Sequence, residues 1–258
     1  MRRRIVTIAV VYVTAVLSAV ACSGSSPAPA AATPPTVPKP AHTATAWGFT
    51  VQGTRPVLTN GSQDTSAQAA GATCDSAQLT ADKRLGNQIA SGFAVGGFTT
   101  AAALLRHFLA GAGTAIDYPA GAPIARLALA SSAFQTVNRQ VQAAVARQLK
   151  AGGTRVRLSA GQLPTAEFSD ASSDLYWSFR GTQGLTVTGH GGRKSGRYTG
   201  ILTYVIRDSY GFPADDTLGG FGPPMRYLQT VCGAPQHAGG ARWFPDSVTV
   251  TVPFDQPA

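Results

Sequence analysis

Charge is scarce in this sequence. Asp, Glu, Lys and Arg make up 13% of it, against about 25% in an average globular protein. There is one glutamate, Glu167, and there are three cysteines, Cys22, Cys74 and Cys232. So few cysteines in 258 residues exclude a disulfide-built miniprotein. Only one apolar run approaches the length needed to cross a bilayer, which excludes a multi-span membrane protein. The familiar catalytic signatures are missing as well: no G-x-S-x-G, S-x-x-K, H-E-x-x-H or C-x-x-C occurs. The glycines around His190 lack the Gly-Lys-Ser/Thr of a phosphate loop, no His pair has metal-ligand spacing, and no cofactor is expected.

What is present is a hydrophobic chain, 44% apolar, long enough for one large domain or two small ones with a buried core. Its first residues read as an address. Arg2, Arg3 and Arg4 precede an apolar run from Ile5 to Ala21, which ends in Ala19-Val20-Ala21 before Cys22. A basic start, an apolar middle and small residues before a cut describe an export signal, residues 1–21. Small residues followed by Cys resemble the lipobox of bacterial lipoproteins, although Ala19 stands where Leu is commonest. The resemblance implies a diacylglyceryl-modified Cys22 as the new first residue, and so a membrane partner reached through a lipid anchor. A secreted protein cut by the general signal peptidase is the alternative. With Cys22 lipidated, Cys74 and Cys232 remain as a pair, and a disulfide between them is expected.

Residues 22–46 read as the lipidated Cys and a tether. Ser23 to Pro40 holds six prolines among Ser, Ala and Thr, with Lys39 its one charge. Such a segment cannot bury a core and favours extended polyproline conformations, and a tether of about 24 residues at ~3.1 Å each reaches about 75 Å. The net charge is +9; without Arg2, Arg3 and Arg4 it is near +6, 18 basic against 12 acidic residues, from dispersed arginines, a composition that resembles GC-rich actinobacterial coding. No basic cluster interleaved with aromatics occurs, and nucleic acid is not expected as a partner.

Residues 47–258 are expected to form a single α+β domain, helical to about residue 152 and β-rich from 153. Trp47, Phe49 and Val51 alternate as a short strand. Asn60 to Thr73 reads as a loop. Thr80 is expected to cap a helix to about Ala94, broken by Gly96-Gly97, and Thr99 or Thr100 a second helix to Leu109, stopped at Gly111. Ser131 or Ser132 caps the best helix, in which Phe134, Val137, Val141, Val145 and Leu149 form one apolar stripe. From Thr154 the period changes from 3.6 to 2. Strands are expected at Val156–Leu158, Leu175–Phe179, Leu185–Val187, Arg197–Asp208 and Val248–Phe254, a Gly-rich turn at His190–Gly196 and a short helix at Pro223–Val231. Apolar residues on both faces of Arg197–Asp208 mark a central strand. Helices followed by strands give an α+β fold, with N-terminal helices on a mainly antiparallel C-terminal sheet.

The densest polar cluster follows the long strand: Arg207, Asp208, Tyr210, Asp215 and Asp216. Carboxylates there, with His190, are the candidates for acid/base work, against a plain Asp- and Pro-rich turn. Asp208-Ser209-Tyr210 after a strand is similar to the Asp-x-Tyr-Asp motif of colicin M-type bacteriocins, which cleave lipid-linked peptidoglycan precursor. Gly211 replaces the second Asp, and the His-Arg that should follow is missing. His42 falls in the tether, His107 on a helix as a partly buried residue, and His190 and His237 in glycine-rich loops. Tyr176, Trp177, Phe179, Tyr198, Tyr204, Trp243 and Phe244 are core residues before they are a ligand face.

The leading expectation is a non-enzymatic envelope lipoprotein that binds an envelope protein, a wall polymer or a small ligand outside the cytoplasmic membrane. The alternatives are an envelope hydrolase working through carboxylates near Asp208, and a structural scaffold. The first requires no catalytic constellation, the second requires carboxylates that converge, and the third an exposed apolar patch.

Overall fold

The computed structural model describes residues 46–54, 73–152, 156–158, 163, 166–180, 182–212, 219–233 and 239–258. Cys22, the tether, His42, the loop to residue 72, Asp215, Asp216 and His237 lie outside them. Among the described residues five strands form one sheet: β1 (Ala46–Thr54), β2 (Ile116–Tyr118), β3 (Gly184–Lys194), β4 (Arg197–Tyr210) and β5 (Phe244–Pro257). Their order is β1-β3-β4-β5-β2, antiparallel throughout except that β2 runs parallel to β5. The fold is α+β, and β4 is the central strand, as its two apolar faces predict. Two early strands close its edges, so the sheet is not drawn from the C-terminal half alone.

Among the described residues there are six α-helices: α1 (Ser76–Val95), α2 (Thr99–Ala110), α3 (Pro123–Ala130), α4 (Ser132–Lys150), α5 (Asp174–Phe179) and α6 (Gly222–Thr230). The α4 stripe is as expected. Phe134, Val137, Val141, Val145 and Leu149 are all buried, Ser131 caps the first turn through Phe134 N–H, and Arg147 and Lys150 stand in the last. Among the described residues no helix is long and apolar enough to cross a membrane.

Several local expectations are corrected. α1 starts at Asp75, whose carboxylate accepts from Gln78 N–H at 2.7 Å, and Thr80 is interior, its hydroxyl bonded back to Ser76 C=O. Phe98, not a threonine, is the N-cap of α2, and its free amides are taken from far away in sequence. Asp174 accepts from Thr100 N–H at 2.8 Å and from Ala101 N–H at 2.9 Å. Residues 175–179 are helical rather than extended. Asp174, Leu175, Ser178 and Phe179 are buried at helical spacing while Tyr176 and Trp177 are half-buried, a pattern that five letters of alternation cannot separate from a strand. Val156–Leu158 joins no strand. α3 and β2 escape the sequence reading because they are short, although Pro123 at the helix start is the usual signal.

The supposed turn at His190–Gly196 is mostly strand. β3 runs on to Lys194, and only Ser195-Gly196 turn, both with positive φ. The glycines serve packing: Gly191 pairs with Gly200, and the Trp47 ring occupies the space their side chains would fill.

Two hydrophobic clusters result. The first lies between the sheet and α3, α4 and α5, with Phe134, Phe179, Tyr204, Ile206 and Val250 at its centre. The second gathers α1, α2 and α6 around the sheet end, with Phe108, Phe212, Met225, Leu228 and Phe244. The Cys74–Cys232 disulfide ties a point two residues before α1 to a point two residues after α6, across 158 positions of sequence.

Candidate acidic cleft at the sheet end

The site follows from strand alternation. In β4, Leu202, Tyr204 and Ile206 face the first cluster, and the next residue on that face is Asp208. In β5, Val252, Val250 and Val248 do the same, and the next residue backwards is Asp246. One further step along that face of β5 reaches Phe244 of the second cluster. Asp208 and Asp246 are direct cross-strand partners. Two carboxyls therefore sit opposite each other on the seam between two hydrophobic clusters, at a Cα separation of about 5 Å in such a pair.

Both are buried, Asp208 at 9% exposure and Asp246 at 2%. Neither oxygen of Asp246 has a hydrogen-bond partner among the described residues. Asp208 accepts from Ser209 N–H at 2.8 Å. β2 adds Asp117, which pairs with Ser247 in register and accepts from its hydroxyl. These residues, with Ala115, Gln183, Arg207, Ser209 and Pro245, line a cleft of about 160 Å³. Gln183 braces one wall, receiving a hydrogen bond from Ser209 Oγ at 3.1 Å and donating its N–H to Arg207 C=O at 2.8 Å.

Burial holds the Asp246 carboxyl well above the usual carboxylate range, and the negative charges of Asp208 and Asp117 push it the same way. Its own backbone amide opposes the shift in part. Beside it, the half-buried Tyr118 hydroxyl is pushed up to about 12 by burial, with Asp246 and Asp174 adding to the effect. Asp246 thus keeps its proton to higher pH than an ordinary carboxyl, opposite a second carboxyl on the neighbouring strand.

The linkage has a definite sign. A carboxyl whose folded pKa lies above its unfolded value of about 3.9 makes the folded state bind more protons, so stability falls as pH rises. The loss begins near pH 4 and is complete above the folded pKa of Asp246. Asp246→Asn cannot ionise, so it is expected to gain on the order of 1 kcal/mol over the parent at pH 8 and almost nothing at pH 4. Urea unfolding at the two pH values checks this. Equal differences at both would show that Asp246 ionises as freely folded as unfolded.

The sequence-derived candidates separate. Asp208 and Arg207 line the cleft, and Ser209 bridges to Gln183. Tyr210 belongs with the second cluster, its ring stacked on Phe244 at 5.5 Å. His190 does not approach Asp208. It is exposed and pairs with Ile201, while the Arg207 level of β4 pairs with Gly184 at the far end of β3. His107 is a satisfied helix residue, its ring within 2.9 Å of Thr114 C=O and edge-on to Phe244. Of the aromatics, Phe179, Tyr204 and Phe244 are fully buried core, while Tyr176, Trp177, Tyr198 and Trp243 are half-buried. No three metal-ligating side chains converge among the described residues.

Asp246, Asp117 and Gln183 were missed in the sequence. The signal for Asp246 was there: counting back by twos from Val248 puts it on the core face, an improper place for an acid. Comparison of the chain with known protein families, with curated proteins and with solved structures finds no match.

Proposed function

We propose that the protein is an envelope lipoprotein that binds a ligand or partner outside the cytoplasmic membrane, at the cleft between β4, β5 and β2. Cys22 would carry the lipid and the residues from 23 to the start of β1 the tether. The observation that carries the reading is the cleft at the sheet end, whose lining includes three acids, Asp117, Asp208 and Asp246. The cleft is smaller than the 300–1,000 Å³ of sites that enclose a whole small molecule, so it suits the tip of a larger partner.

Hydrogen exchange of the whole chain tests this, with soluble wall-polymer fragments and with vesicles containing anionic phospholipid as probes. Protection confined to residues 115–118, 207–209 and 245–247 is expected with one of the two. Protection only elsewhere, or with neither probe, would remove the reading.

One observation favours a second reading, the envelope hydrolase. Asp246 keeps its proton to higher pH than an ordinary carboxyl and pairs across the strands with Asp208, and a carboxyl held above the usual range beside a second one is what acid/base hydrolysis uses. It requires that the probes be cleaved and that Asp208→Asn abolish cleavage in a folded protein. The scaffold reading has less to rest on. Among the described residues the exposed large hydrophobics are Val95, Leu127 and Ile201, scattered over α1, α3 and β4.

A further inference from the structure

We propose that β1 is a dimerisation edge: it pairs antiparallel with β1 of a second copy of the chain, about Thr50, and joins the two sheets into one. The proposal stands apart from the cleft and its ligand. An edge strand presents a row of backbone N–H and C=O groups without a ladder partner, and natural sheets blunt such edges with short strands, proline or charge. This sheet blunts one side. β2 is three residues long. Where β5 runs on past it, from Thr249 to Pro257, the strand carries Pro253, Asp255 and Pro257. β1 has none of these devices. Its nine residues include no charge and no proline. They pair with β3 in unbroken register, from Ala46↔Gly192 to Thr54↔Gly184, with no bulge. Among the described residues no strand lies on the other side of β1.

The residues of the edge select the occupant. Antiparallel pairing about Thr50 sets Thr50 opposite Thr50, Phe49 opposite Val51 of the second copy and Trp47 opposite Gly53. Threonine against threonine and aromatic against β-branched are favoured cross-strand pairs. The faces match as well. Trp47 and Val51 are buried and Phe49 is half-buried on the core side, while Gly48, Thr50 and Gln52 are exposed on the other. Thr50 ends a row with Thr188, Thr203 and Thr251 across four strands, and the pairing continues that row into the second copy. Charge agrees with this choice. The chain is net positive, so two copies repel over much of their surface, and β1 is an approach without charge. The edge is about 30 Å long at ~3.4 Å per residue. That is a small interface, so the dimer is weak and depends on concentration.

The test is oxidative cross-linking of the whole chain carrying Thr50→Cys or, separately, Gln52→Cys. Both positions are exposed on the same face of β1. In the stated register the two copies of position 50 lie about 5 Å apart at Cβ, within disulfide reach, and the two copies of position 52 about 14 Å apart. Thr50→Cys is therefore expected to form a covalent dimer about tenfold faster than Gln52→Cys, with the link mapped by peptide analysis to position 50 of both copies. The parent, which also holds Cys22, gives the background. Sedimentation of the whole chain is the second measurement. Thr50→Lys puts like charges directly opposite and should weaken self-association about fivefold or more, while Thr251→Lys, exposed in the same row but away from the edge, should leave it unchanged. A parent that stays monomeric at every concentration overturns the proposal. So do equal cross-linking at the two cysteine positions and self-association that Thr50→Lys does not weaken.

Discussion

Opening the Cys74–Cys232 disulfide is expected to destabilise the domain by about 3–5 kcal/mol, the largest single effect in this molecule. The chain-entropy argument gives about 5 kcal/mol for a loop of 158 residues, an upper figure because residual structure in the unfolded chain and native strain reduce it. The position matters as much as the loop. Cys232 is fully buried beside the second hydrophobic cluster, and α1, which the bridge holds from its first turn, has only Gly86 and Ala90 fully buried. A helix with so little burial of its own depends on its tether. A Cys74→Ala/Cys232→Ala variant should therefore unfold at lower urea, and its amides in α1 and α6 should exchange faster than those in α4. Reductant should shift the parent to the same midpoint and leave the variant unmoved. A midpoint within about 0.5 kcal/mol of the parent would mean that the second cluster holds α1 and α6 without the covalent link.

Gly200→Ala is expected to cost about 3 kcal/mol, at the upper end of overpacking effects. A Cβ there would lie 2.2 Å from His190 C=O and 2.6 Å from the Trp47 ring, and at the partner glycine, Gly191, 2.0 Å from Thr199 C=O. Neither backbone carbonyl can yield without opening the β3–β4 pairing. Trp47 itself is 4% exposed and meets Phe254 edge-on at 5.2 Å, so its ring cannot swing out cheaply. The variant should show a lower thermal midpoint and a red-shifted tryptophan emission, since Trp47 is the tryptophan that loses its cover. Gly92→Ala is the control. Nothing lies within 4 Å of a Cβ at Gly92, which is interior to α1, so the change should stabilise by about 0.5–1 kcal/mol. Equal effects at the two glycines would show that backbone freedom, not the Trp47 ring, sets the need for glycine in β3 and β4.

Long periodic segments were legible from the residues alone. The α4 stripe, the central β4 and the Val248–Phe254 alternation each repeat often enough that one face is unambiguous, and burial then dictates the element. Short segments were not. Residues 175–179 hold too few letters to separate two periods, and the choice falls to Asp174, which reaches the amides of α2 some 73 residues away. The glycines of β3 looked like a turn because glycine favours turns. They are strand because Trp47, from the other end of the chain, lies over them.

The candidate site divides in the same way. Asp208 stood out as an acid beside a strong strand. Its partner Asp246 lies 38 residues later in a stretch that reads as strand only from Val248 on, and Asp117 sits on a three-residue strand that only pairing with β5 creates. What the sequence by itself determined is the α+β class, the helix stripe and the central strand, because these depend on local periodicity. What only the tertiary structure decided is the order β1-β3-β4-β5-β2 and the pairing of Asp208 with Asp246 at its end. Strand pairing is a contest of long-range burial, and burial does not record in the sequence which strands it will join.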